Sequence, residues 1–72
     1  MKNIKIKDEY IKLDSLLKLA GIAYSGGAAK EMVLAGSVSV NGEICLMRGK
    51  KIREGDKVSV GEEEIEVSQK TI

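Results

Sequence analysis

"GGAAKEMVLAGSVSVNG", residues 26–42, changes its hydrophobic period halfway along, and that change sets the fold class. In its first half Ala29, Met32, Val33 and Gly36 recur at the spacing of one helical face. Ser25, just before it, has the side chain of an N-cap, and Gly36 stands where a left-handed residue ends a helix. From Ser37 the period is two, so Val38 and Val40 face one way and Ser37 and Ser39 the other. Asn41 and Gly42 both tolerate positive φ, which makes "NG" a strong signal for a tight hairpin. A helix running straight into a hairpin predicts an α+β domain.

Upstream, "LDSLLKLAGI" places Leu13, Leu16, Leu17 and Ala20 on one helical face. Asp14 serves there as an N-cap or as a favourable first-turn charge, and Gly21 as the stop. The two short helices are expected to form a compact helical hairpin or corner, with Ala28 and Ala29 permitting close approach. Before them "NIKIKD" alternates Ile4 and Ile6 with Lys5 and Lys7, the pattern of a half-buried strand. Downstream, "EICLM" reads as the return strand of the hairpin, followed by a basic loop and a turn at "EGD". Strands at "KVSV" and "EEIEVS" then turn Val58, Val60, Ile65 and Val67 inward. All eight glycines fall at the boundaries of these elements.

Seventy-two residues suffice for one small domain whose core must take most of the apolar side chains. With no His and one Cys, the usual zinc-ligand spacings, the Cys-His nucleophile and the Ser-His-Asp triad are excluded, and no metal or other cofactor is expected. Cys45, between Ile44 and Leu46, reads as a buried thiol of a reducing cytosol. No stretch approaches the roughly 20 apolar residues of a membrane span, and "MKNIKIKDEY" lacks an apolar leader core. The expectation is a cytoplasmic protein. Net charge is only +1, but residues 1–60 carry +4 and residues 61–72 carry −3. A segregated charge creates local fields that the net value hides.

Three constellations bear on chemistry. "SGGAAK" puts bare backbone N–H groups at a helix start, yet G-x-x-x-x-G-K-[ST] and G-x-G-x-x-G are both absent, so a nucleotide site is not expected. Glu62, Glu63, Glu64 and Glu66 lack a basic or metal-binding partner that would divide them into acid and base, and read as a solvated edge. Arg48, Lys50, Lys51 and Arg53 pack four cations into six positions, with no acid between Glu43 and Glu54. In extended chain Lys51 and Arg53 share one side, Arg48 and Lys50 the other. Such a cluster is either solvated surface or a polyanion site. Tyr10 and Tyr24 are the only aromatics, so a base-stacking sheet is not expected, and polyanion binding would run through phosphates and shape.

"KLDSLLKLAGIAYSGGAAKEMVLAGSVSVNGEICLMRGKKIREGD", residues 12–56, resembles the ribosomal protein S-four type RNA-binding domain, the alpha-L motif. The likeness rests on "LD" opening the first helix, "AG" closing it, "S" and "AK" around the second, "GSVSVNG", and the later "GD". It spans about residues 12–60, leaving a C-terminal strand and acidic tail at 61–72, and the whole chain looks like small bacterial proteins consisting of little else. The resemblance implies two short helices on a small, mostly antiparallel sheet, and a non-enzymatic domain binding structured RNA such as ribosomal or transfer RNA, with the ribosome as a further partner and no small-molecule substrate. It also implies an RNA face containing Lys12, Asp14, Ser25, Lys30, Asn41 and the basic stretch.

Family members often carry a cation just after the serine and another late in the second helix, where this chain has Gly26, Gly27, Leu34, Ala35 and Ser37. That moves the expected weight to Arg48, Lys50, Lys51 and Arg53, with the N–H groups of Gly26 and Gly27 as phosphate donors. The rival expectation is a protein-interaction module whose basic stretch is only solvated surface.

Overall fold

The computed structural model describes residues 2–69. Residues 70–72, the end of the expected acidic tail, lie outside the described residues. The order is β1 (Lys2–Ile6), β2 (Ile11–Lys12), α1 (Leu13–Leu19), α2 (Gly26–Leu34), β3 (Val38–Val40), β4 (Glu43–Ile44), β5 (Lys51–Ile52), β6 (Lys57–Val60) and β7 (Glu63–Gln69). Five strands form a sheet in the order β1-β7-β6-β3-β4, and β2 pairs with β5 in a separate small sheet.

Both helices end as their glycines predict. Gly21 and Gly36 adopt φ of +79° and +77°. The N–H of Ile22 donates to the Leu17 carbonyl at 3.0 Å and that of Gly21 to Lys18 at 3.1 Å. Ser37 and Gly36 repeat this toward Met32 and Val33, each at 3.1 Å. These are paired Schellman closures, which satisfy carbonyls that a helix end leaves open. At the start of α2 the Ser25 hydroxyl accepts from the Ala28 N–H at 3.1 Å, the expected cap. Asp14 takes the second of its two expected roles: it lies in the first turn of α1, and the N-cap position belongs to Lys12.

Leu13, Leu16 and Leu17 of α1 and Ala29 and Val33 of α2 are buried in one core with Ile6, Val38, Val40, Val58, Ile65 and Val67 of the sheet. The core is wholly aliphatic apart from the Cys45 thiol, and each large side chain fully buried there contributes about 1.5–3 kcal/mol. Asn41 and Gly42 have φ of +50° and +87°, and Val40 faces Glu43, so the predicted two-residue hairpin forms.

Three expectations need correction. The return strand stops at Ile44: Cys45 donates one more bond to the Val38 carbonyl, after which Leu46 and Met47 are exposed. The chain there leaves the sheet because its next partner is α1, not β3. The acidic strand is solvated but is no edge; β7 lies between β6 (antiparallel) and β1 (parallel), and the edges are β1 and β4. The basic stretch is not simply a loop, since both residues of β5 lie within it.

Candidate nucleic-acid interface

Ile52 is the anchor of the basic stretch. It is fully buried and faces Ile11 across the β2–β5 pair, so its sequence neighbours Lys51 and Arg53 must point outward together. Lys12 is the direct register partner of Lys51. Like charges opposite one another across a strand pair oppose pairing by several tenths of a kcal/mol. Tyr10 lies beside them: the Lys51 Nζ is 4.9 Å from its ring centroid and the Arg53 guanidinium carbon 5.8 Å. The expected sharing of one side by Lys51 and Arg53 is therefore seen, with both cations over the Tyr10 ring.

The preceding residues are tied to α1 by its first N–H groups. Leu13 donates to the Lys50 carbonyl at 2.9 Å and Asp14 to that of Arg48 at 3.0 Å. With Lys12 supplying no side-chain cap, these carbonyls do the capping, which joins the helix start to the basic segment. The Asp14 carboxylate stands 4.0 Å from the Arg48 guanidinium, the single ion pair among the described residues. Both groups face solvent in part, so the pair orients Arg48 more than it stabilises the fold. Lys12, Lys50, Lys51 and Arg53 are all exposed. The fold thus gathers Lys12, Asp14 and the four cations of residues 48–53 at one place.

The other expected residues lie elsewhere. Ser25, Gly26, Gly27 and Lys30 stand at the start of α2, and among the described residues no hydrogen bond or ion pair links them to the basic segment. A Cβ on Gly26 would meet nothing within 4 Å and one on Gly27 only the Ser25 hydroxyl at 3.9 Å, so packing requires neither glycine. Their N–H groups belong to the first turn, which has no intrahelical acceptors. Asn41 is bound within the protein: its amide donates to Asp56 at 3.0 Å, and its carbonyl oxygen accepts from the Lys57 N–H at 3.0 Å. Asp56 also accepts from the Arg53 N–H at 2.8 Å, so Asn41 is connected to the basic segment through one carboxylate.

The absence of a stacking sheet leaves the two tyrosines without an expected role in the sequence. Tyr10 holds a place among the cations because β2 pairs with β5, and a two-residue pairing leaves almost no periodic signal in the sequence. Tyr24, 93% exposed immediately before the Ser25 cap, had none. No group of three or more His, Cys, Asp or Glu side chains suited to a metal occurs among the described residues. Nor is any helix among them long and apolar enough to cross a membrane.

A family model described as S4 domain matches residues 4–68, which extends the likeness beyond residues 12–60 to β1 and β7. The chain is 42% identical over 57 residues to the probable ribosome maturation protein RlbA of Bacillus subtilis (strain 168), covering 79% of this chain and 80% of the relative. Its fold matches the solution structure of YbcJ from E. coli, described as revealing an alfaL motif involved in RNA-binding. The TM-score is 0.73 at 32% identity, over 94% of this chain and 87% of YbcJ.

Proposed function

Because the chain belongs to the S4 domain family, we propose that it is a non-enzymatic RNA-binding protein of the bacterial cytoplasm that holds a structured RNA, ribosomal or transfer RNA, in ribosome or RNA metabolism. One observation carries the reading: the β2–β5 pair sets Lys12 directly against Lys51, with Lys50, Arg53 and Arg48 beside them. That arrangement works against the small sheet itself, and an external polyanion relieves it. YbcJ, described as having an RNA-binding motif, and RlbA, named for ribosome maturation, support the same partner.

In this reading residues 1–72 act as one domain. Lys12, Lys50, Lys51 and Arg53 contact phosphates, and Asp14 serves by fixing Arg48 rather than by touching RNA, since a carboxylate repels phosphate. Ser25, Gly26, Gly27 and Lys30 supply a second phosphate contact at the α2 start, and Asn41 steadies the segment through Asp56. Phosphate contacts position the protein without reading sequence, so the RNA is selected by shape.

The test is a titration of labelled, structured RNA at several salt concentrations, with wild type beside the fourfold variant Arg48→Ala, Lys50→Ala, Lys51→Ala and Arg53→Ala, both checked for folding by circular dichroism. Each lost phosphate contact lowers the magnitude of the log–log salt slope by about 0.7–0.9. Equal, salt-insensitive background binding by both proteins would sink the proposal. It would favour the second reading, a protein-contact module, for which the exposed Ile44, Leu46 and Met47 beside the open edge of β4 speak.

A further inference from the structure

Beside the cation cluster lies a cleft of about 300 Å³ whose walls include Tyr10, Ile11 and Leu19 and whose rim carries Lys5, Lys7 and Asp8. Leu19 is 60% exposed, although it is a large apolar side chain on a helix whose other leucines are fully buried. Ile11 and Tyr10 are half-buried, so the cleft has apolar walls open to solvent. Tyr10 belongs to both places, because the same ring that lines the cleft is approached by Lys51 and Arg53. The volume is at the lower limit of small-ligand pockets and suits one planar ring system rather than a helix or a peptide strand.

We infer that this cleft receives a single unpaired nucleobase, placed against Tyr10, from the RNA whose backbone the neighbouring cations hold. The inference rests on the RNA-binding reading and adds a ligand to it. A nucleobase has the flat apolar faces that Tyr10, Ile11 and Leu19 can cover, and polar edges that can meet Asp8 and the lysines at the rim. Its own backbone carries the phosphates that Lys5, Lys7, Lys51 and Arg53 attract. The two cations on Tyr10 hold the ring in place, which lowers the ordering cost of stacking on it. The protein then prefers a bulge or loop over an unbroken duplex, although it has no stacking sheet.

The test compares RNA hairpins carrying one bulged nucleotide, A, C, G or U in turn, with the same hairpin carrying an abasic residue in the bulge. Backbone, bend and charge are thereby kept and only the base is removed. Wild type is expected to bind at least one base-bearing hairpin about tenfold more tightly than the abasic one, the scale of a single base–aromatic stack. Tyr10→Leu removes the difference while keeping the salt slope, and Tyr10→Phe retains it. Should Tyr10→Leu fail to fold, the wild-type comparison of base-bearing with abasic bulges decides alone. Salt-dependent binding of equal strength to all five hairpins overturns the inference and leaves the RNA-binding reading standing. Salt-insensitive background binding to all of them overturns both.

Discussion

At the scale of single residues, Lys51 separates a functional cation from a structural one. It faces Lys12 across the strand pair, so its charge opposes the fold locally. Lys51→Gln is therefore expected to raise the melting temperature slightly or leave it unchanged while weakening RNA binding and flattening its salt dependence by one contact. A fall in both stability and affinity would show instead that the lysine stem packs the small sheet. Gly36 is the opposite case, a residue required by backbone geometry. At φ +77° an added methyl meets Ile44 only at an ordinary 3.9 Å, so Gly36→Ala is opposed by the left-handed conformation and not by crowding. The expected cost is about 1–2 kcal/mol, read from the urea midpoint with RNA affinity of the folded protein unchanged.

Among the elements, β5 has only two residues and matters most to the site. Ile52 is its one buried side chain and meets Ile11 of β2, while the Lys50 and Arg48 carbonyls cap α1. Ile52→Ala is expected to cost about 2–5 kcal/mol as a core truncation. The stronger check is local: amide exchange of residues 48–53 and of Leu13 and Asp14 should accelerate more than that of β6. Uniform acceleration would mean that the basic segment has no stability of its own. The α1 start also shows why the sequence leaves two roles open for Asp14: the helix is capped by backbone carbonyls distant in the chain. Its acceptors come from residues 34 or more positions away in the chain, and local capping rules count only side chains nearby.

For the whole molecule, the parallel β1–β7 pair closes the architecture. Strands from the two ends of the described chain meet, placing β7 in the interior of the sheet with β6 on its other side. The Val67 amide donates to the Asp56 carbonyl and Gly55 to that of Val67, so the turn before β6 is bound to the same strand. β7 amides are expected to exchange only through global unfolding, those of the edge strand β4 through local opening. Protection of the β4 amides on adding a protein partner, with none on adding RNA, is what the protein-contact reading requires.

The local elements were determined by the sequence: two helices with their glycine stops, the Ser25 cap, the Asn41–Gly42 hairpin and the inward valines. Each depends on contacts within a few residues, where side-chain period and φ preference leave a readable trace. So did the presence of four cations in residues 48–53. The tertiary structure alone decided their company. Pairing of Ile11–Lys12 with Lys51–Ile52 put Lys12 against Lys51 and Tyr10 beneath two cations, and the pairing of β1 with β7 moved the acidic strand from the edge to the interior. Pairings between segments some 40 to 60 residues apart are chosen by the shared core, in which Ile52, Ile65 and Val67 are buried, and two-residue strands are too short for their period to announce a partner.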